Sequence, residues 1–213
     1  MNAFSSTAYW EQRYRAGGNS GAGSGGVLLR YKAAVINGFI AANAVGSVLD
    51  LGCGDGRLLS LLRTPSYIGV DVSPTALACC IARFRQHRFL PFDALDGEPA
   101  AELALSIDVI FHLVETDVFV RTMDALFGHA TRFVLIYASN FDSGWPSPHV
   151  RHRRFSDYVE QAYRDWRLLV HLPNPYPYDP ARPDETSFAD FFVYGRPDAE
   201  CVVPVPAQRA FRC

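Results

Sequence analysis

Short apolar runs alternate with helix-period segments along most of this chain. Runs at 48–51, 67–70, 88–92, 108–111 and 133–137 are rich in Val, Ile, Leu and aromatic residues and carry few charges. That is the composition of parallel strands covered on both faces. Between and before them the period changes to that of a helix. Leu28, Tyr31, Val35, Phe39 and Ala42 fall on one face of a segment at 27–43. Ser73-Pro74 places an N-cap before a proline at the first helical position and opens a helix over 75–85, and another is expected over 117–127. The alternation predicts a doubly wound α/β sheet, mostly parallel, with helices on both faces.

The two ends read differently. A helix over 7–15 with Tyr9, Trp10 and Tyr14 stops at Gly17-Gly18. The Gly/Ser run at 19–26 has little side chain to pack and predicts a mobile flap. Toward the other end, a polar loop at 142–149 leads to a helix over 156–164. Two candidate strands follow at 166–172 and 188–194, separated by the proline-rich 173–183. They predict an antiparallel hairpin at the sheet edge, bringing the sheet to seven strands. The layout is one domain over 1–213, with the helix and flap at 1–26, a core at 27–196 and a tail at 197–213.

Composition narrows the class. A length of 213 residues suits one α/β domain, and a formal net charge of −2 disfavours a DNA-coating protein. No apolar run reaches the ~18 residues of a membrane span. The N-terminus lacks the basic start and apolar core of a secretory signal. Five cysteines, Cys53, Cys79, Cys80, Cys201 and Cys213, include no C-x-x-C pair. They read as structural thiols of a cytosolic protein with no metal site.

The most informative segment is Val48-Leu-Asp-Leu-Gly-Cys-Gly-Asp-Gly-Arg-Leu-Leu59. A buried strand runs into Gly52, Gly54 and Gly56 and then into an expected helix, so the backbone can approach a ligand closely at the carboxyl end of the first strand. A dinucleotide fingerprint needs a glycine where Arg57 stands, and a P-loop needs Gly-Lys-Ser/Thr, which is absent. The pattern Asp50-x-Gly52-x-Gly54-x-Gly56 resembles motif I of the class I S-adenosylmethionine-dependent methyltransferases. The next strand ends in Ile68-Gly-Val-Asp-Val-Ser73, and Phe92-Asp-Ala94 follows the third.

That resemblance runs from about Trp10 to Tyr194. It implies S-adenosyl-L-methionine as cofactor, held by Asp50, Gly52, Cys53 and Gly54, with Asp71 and Val72 at the ribose and Asp93 and Ala94 at the adenine. Cys53 reads as a small packing residue whose backbone faces the cofactor. Trp10 lies on a helix that in many members closes over the cofactor, and Arg13 and Lys32 are rival partners for the methionine carboxylate. A solvated surface charge is the simpler account of either.

The end of the fourth strand is where the family places methyl transfer. His112 there is the candidate base, because an imidazole titrates near working pH, although a structural hydrogen bond also explains it. Glu115 and Asp117 are weaker alternatives. Asp108 is followed by Val109-Ile110-Phe111, without the Pro-Pro of enzymes that methylate exocyclic amines of DNA bases. For the acceptor, His149, Arg151, His152 and Arg153 form the densest basic cluster and could grip a phosphate or carboxylate. Tyr176 and Tyr178 are further candidates for the same pocket. The expected acceptor is a small molecule, with an anionic metabolite or nucleotide-linked sugar fitting the cluster. Protein or RNA methylation is the alternative, and a non-catalytic S-adenosylmethionine-binding subunit or a nicotinamide oxidoreductase stand behind it.

Overall fold

The computed structural model of the protein describes residues 4–204; the tail beyond them, with Cys213, lies outside the described residues. In chain order the elements are α1 (Ser6–Arg15), α2 (Gly26–Ala42), β1 (Ser47–Leu51), β2 (Ser66–Asp71), α3 (Pro74–Arg83), β3 (Arg88–Pro91), β4 (Ala101–Ile107), α4 (Thr116–Gly128), β5 (Ala130–Ala138), α5 (Phe155–Ala162), β6 (Arg167–Leu172) and β7 (Asp190–Gly195). The seven strands form one sheet in the order β3-β2-β1-β4-β5-β7-β6. Pairs from β3 through β5 are parallel. Strand β7 runs antiparallel to both β5 and β6, which is the expected edge hairpin.

Side chains alternate across the sheet as a strand requires. Leu49, Val134 and Ile136 face one core, with Phe119, Met123 and Leu126 of α4 and Phe155 and Val159 of α5. Val48, Phe133 and Leu135 face the other, with Val35, Ile36 and Phe39 of α2. The rings of Phe39 and Phe133 meet edge to face at 5.1 Å. Each such fully buried side chain contributes about 1.5–3 kcal/mol of transfer free energy.

Three expectations need correction. The fourth strand is Ala101–Ile107, not 108–111. Its Ala, Glu and Leu residues favour helix in isolation, but the segment lies between β1 and β5, where burial on both faces selects the strand. Asp108 ends it with φ +60°, and Ile110–His112 turn back as a single 3-10 turn. Second, the glycine turn leads only to a 3-10 turn at Leu59–Leu61, not to an α-helix. Pro65 follows closely and pushes the residue before it to extended backbone, so no room remains for a full helix. Third, the Gly/Ser segment is fastened at several points, as described below. Among the described residues, no helix is long and apolar enough to cross a membrane.

Candidate active site

The loop after β1 is built around left-handed glycines. The φ of Gly52 is +89°, and a Cβ there would lie 2.3 Å from Val109 Cγ2. A Cβ on Gly54, at φ +56°, would meet Ser20 Oγ at 2.5 Å and the Tyr14 hydroxyl at 2.8 Å. Both positions therefore exclude a side chain on conformational and steric grounds. The amides of Gly52 and Cys53 both donate to the Val70 carbonyl, at 2.7 and 3.0 Å, tying the loop to β2.

Asp71, the last residue of β2, organises the next step. Its carboxylate accepts the Gly54 amide and the Ser73 amide, each at 2.9 Å. Burial raises its pKa, with these N–H donors opposing. Asp50 lies beneath, receiving the Tyr67 hydroxyl at 2.7 Å. Burial pushes Asp50 up to about 6, against the opposing Tyr67 hydrogen bond. The Cys53 thiol is raised by its hydrogen bond with Cys80 and then by burial, so it is an inert packing group.

A cavity of about 260 Å³ crosses the carboxyl ends of the parallel strands. Asp50, Gly52, Cys53, Asp71, Val72 and Asp93 line it, as do Trp10, Lys32 and His112. Gly54, buried under Ser20 and Tyr14, and Ala94, exposed, are not among the lining residues. The sequence reading missed Arg57, Asp108, Arg121 and Thr122, which also line it. Arg57 directly follows the glycine motif, and Val118, Arg121 and Thr122 share one face of α4 by their i, i+3, i+4 spacing, so a signal existed for each.

Helix α1 covers the cavity and is held at both ends. Ser6 donates its amide to Glu115 Oε1 at 2.8 Å and its hydroxyl to Glu115 Oε2, while Val114 N–H reaches Ser6 Oγ at 3.1 Å. Burial raises the Glu115 carboxyl, but the two hydrogen bonds from Ser6 outweigh it and the net direction is down. Further along, Glu11 accepts the Ser73 hydroxyl at 2.7 Å and the Thr75 hydroxyl at 2.8 Å, which lowers its pKa. The tyrosine hydroxyl of Tyr14 bonds Ser20 Oγ at 2.9 Å, and Ser20 donates on to Asp55 Oδ1 at 2.9 Å.

His112 closes one end of the cavity. Its Nδ1 lies 3.0 Å from the His149 carbonyl. A carbonyl only accepts, so Nδ1 carries the proton and Nε2 presents a lone pair. Burial holds the imidazole down at about 4, keeping it neutral at neutral pH. The Trp10 ring meets it edge-on at 4.9 Å, and His149 stacks between His112 and Tyr9 at 5.3 and 4.6 Å.

The remaining candidates are either away from the cavity or already paired. Arg13 donates through Nε to the Asn19 carbonyl at 2.7 Å, with its guanidinium 5.7 Å from the Trp10 ring. Lys32 lines the cavity, but its ammonium is paired with Asp108, so it is no free partner for a carboxylate. Arg151 donates to the Val114 carbonyl at 3.0 Å and Arg153 to the Leu113 and Val114 carbonyls at 2.6 and 2.9 Å. The irregular backbone after the 3-10 turn needs those donors, which is why the basic cluster is structural there. His152 is buried, with Nδ1 2.7 Å from Ser139 Oγ and Phe141 and Phe188 packed on its ring. Tyr176 packs on Tyr31, and Tyr178 on Trp145.

A glycine turn after β1, an acid closing β2 and a second acid after β3, all around one cavity, define a nucleotide-cofactor α/β enzyme. A family model described as a methyltransferase domain matches residues 28–180. The chain belongs to that family and is a class I S-adenosylmethionine-dependent methyltransferase. No curated protein matches it in sequence. Solved structures share the fold. Magnesium protoporphyrin IX methyltransferase from Synechocystis PCC 6803, with bound SAH, matches at TM-score 0.65 and 14% identity over 89% of this chain and 97% of that one. The N-methyltransferase NodS from Bradyrhizobium japonicum WM9, with S-adenosyl-L-homocysteine, matches at 0.64 and 12% over 91% and 99%. The small RNA methyltransferase HEN1 matches at 0.58 and 14%, over 81% of this chain and 26% of that one.

The residues present fit that cofactor. The side-chain-free turn at Gly52 lines the cavity, and Asp71 keeps acceptor capacity beyond its backbone bonds from Gly54 and Ser73, since a carboxylate offers about four lone-pair sites. Asp71 and Val72 would hold the ribose, Asp93 the adenine, and the glycine loop the methionine part.

Proposed function

We propose that this chain transfers the methyl group of S-adenosylmethionine to a small, uncharged acceptor at the Trp10–His112 end of the cavity. The observation that carries this reading is the make-up of that end. Ser6, Thr7, Trp10 and neutral His112 line it under the chain's own N-terminal helix. Lys32 is neutralised by Asp108 and Arg57 by Asp55, and Arg151 and Arg153, expected to grip an anion, serve backbone carbonyls instead, so Arg121 on α4 is the arginine that remains at the cavity. A cavity of about 260 Å³ is also just below the ~300–1,000 Å³ usual for small-ligand sites.

The cofactor supplies an activated methyl group on sulfur, so the protein's work is positioning. Trp10 gives an apolar wall. In this reading His112 Nε2 accepts a hydrogen bond from the acceptor's hydroxyl or amine and takes its proton as the new bond to carbon forms. A net charge of −2 gives the RNA reading no support.

The test is incubation of the purified enzyme with methyl-labelled cofactor and, separately, a metabolite extract or total RNA. Label recovered in a small uncharged metabolite supports the reading. Label confined to RNA, or to an anionic metabolite, overturns it.

A further inference from the structure

Lys32 and Asp108 form a buried ion pair at the cavity wall that methyl transfer itself does not require. Lys32, on α2, is 2% exposed, and Asp108 is the first residue beyond β4, in the left-handed region at φ +60°. The ammonium donates to Asp108 Oδ2 and to the Gly23 carbonyl at 2.8 Å, and lies 5.4 Å from the Tyr137 ring centroid. Three parts of the chain thus meet at one charge: α2, the end of β4, and the strap at 19–25 that joins α1 to α2. The fit is close, since a Cβ on Gly23 would stand 3.2 Å from Asp108 Oδ2. The strap is also fastened by Ser20 on Asp55 and on Tyr14, each at 2.9 Å, and by Arg13 on the Asn19 carbonyl at 2.7 Å. Ser20, Ser24, Lys32 and Asp108 all line the cavity.

A buried ion pair is a poor device for stability, because desolvation offsets most of the attraction. A non-glycine residue at positive φ adds its own cost. An apolar residue at 32 with an uncharged residue at 108 would suit the buried face of α2 without the ion pair. We propose that Lys32 is a positioning residue for cofactor retention: it fastens the strap over the cavity through Gly23 while holding Asp108 in its turned conformation. The proposal rests on the cofactor reading of the cavity and is independent of the acceptor.

The probe is S-adenosylhomocysteine, with affinity by calorimetry, release by stopped-flow tryptophan fluorescence, and strap order by hydrogen exchange at residues 20–24. The variants are Lys32→Met, Lys32→Met/Asp108→Asn and Gly23→Ala. Lys32→Met leaves a carboxylate unpaired and lowers the urea midpoint. The double variant recovers most of that midpoint but, like Gly23→Ala, releases the probe about tenfold faster, equivalent to ~1.4 kcal/mol, with faster exchange in the strap. A double variant that regains wild-type release along with its midpoint would mean Lys32 only balances the Asp108 charge, and the proposal falls. Should the double variant not fold, wild-type release and exchange in Gly23→Ala would overturn it equally. Failure of the wild-type protein to bind the probe would strike the cofactor reading instead.

Discussion

Truncating Asp71 to alanine will weaken the protein before any cofactor is added. In the cofactor-free chain its carboxylate holds two buried backbone donors, Gly54 N–H and Ser73 N–H, at 2.9 Å each. An orphaned buried donor costs about 1–3 kcal/mol, so losing both costs about 2–6 kcal/mol. Part of this is returned, because burial already opposes ionisation of the carboxylate. The net expectation is a loss of about 1–4 kcal/mol in unfolding free energy. Asp71→Asn, whose amide can accept one N–H but turns a donor toward the other, falls between. Urea unfolding at pH 7, followed by circular dichroism, measures the first effect, and calorimetry with S-adenosylhomocysteine measures binding. Affinity falls in both variants, more than tenfold in the alanine (about 1.4 kcal/mol or more). Wild-type stability in Asp71→Ala would refute the argument that this acid shapes the glycine loop, even if binding were lost.

Three further outcomes follow from the same geometry. Asp50 has a folded pKa raised to about 6, so its favourable contribution is complete below the unfolded value and is lost as pH rises through 6; Asp50→Asn should match wild type in stability near pH 4 and exceed it by up to about 3 kcal/mol at pH 7, and a difference independent of pH counts against the assignment. His112→Ala should lower turnover about a hundredfold with little change in S-adenosylhomocysteine affinity; since His112 titrates at about 4, wild-type turnover should carry no His112-dependent break between pH 5.5 and 8, and such a break, absent from the variant, would contradict a neutral imidazole. Glu115 has a lowered pKa, so its hold on Ser6 persists above the ordinary carboxylate range and fails as pH falls below it; hydrogen exchange in α1 should accelerate there and in Glu115→Gln at pH 7, and unchanged exchange in that variant would release α1 from this anchor.

The sequence by itself determined the architecture and the residues of the glycine turn and β2 end that line the cavity, because those depend on local signals. Strand-period apolar runs, the Ser73 cap and the glycines at 52 and 54 each act within a few residues of chain. The same locality explains the errors. In β4, Ala101-Glu-Leu-Ala-Leu105 favours helix until β1 and β5 bury it from both sides, a contact the segment cannot announce. The apolar 108–111 reads as a strand, yet the chain turns at Asp108, at φ +60°, where its carboxylate meets Lys32, 76 residues away in sequence. Arginines 151 and 153 look like an anion grip until the carbonyls of Leu113 and Val114 are found beside them. The Gly/Ser strap looks loose until Asn19, Ser20 and Gly23 find Arg13, Asp55 and Lys32. Tertiary structure alone decided which charges are free and which are already paired. A charge's role is set by its neighbours in space, and only folding brings those together.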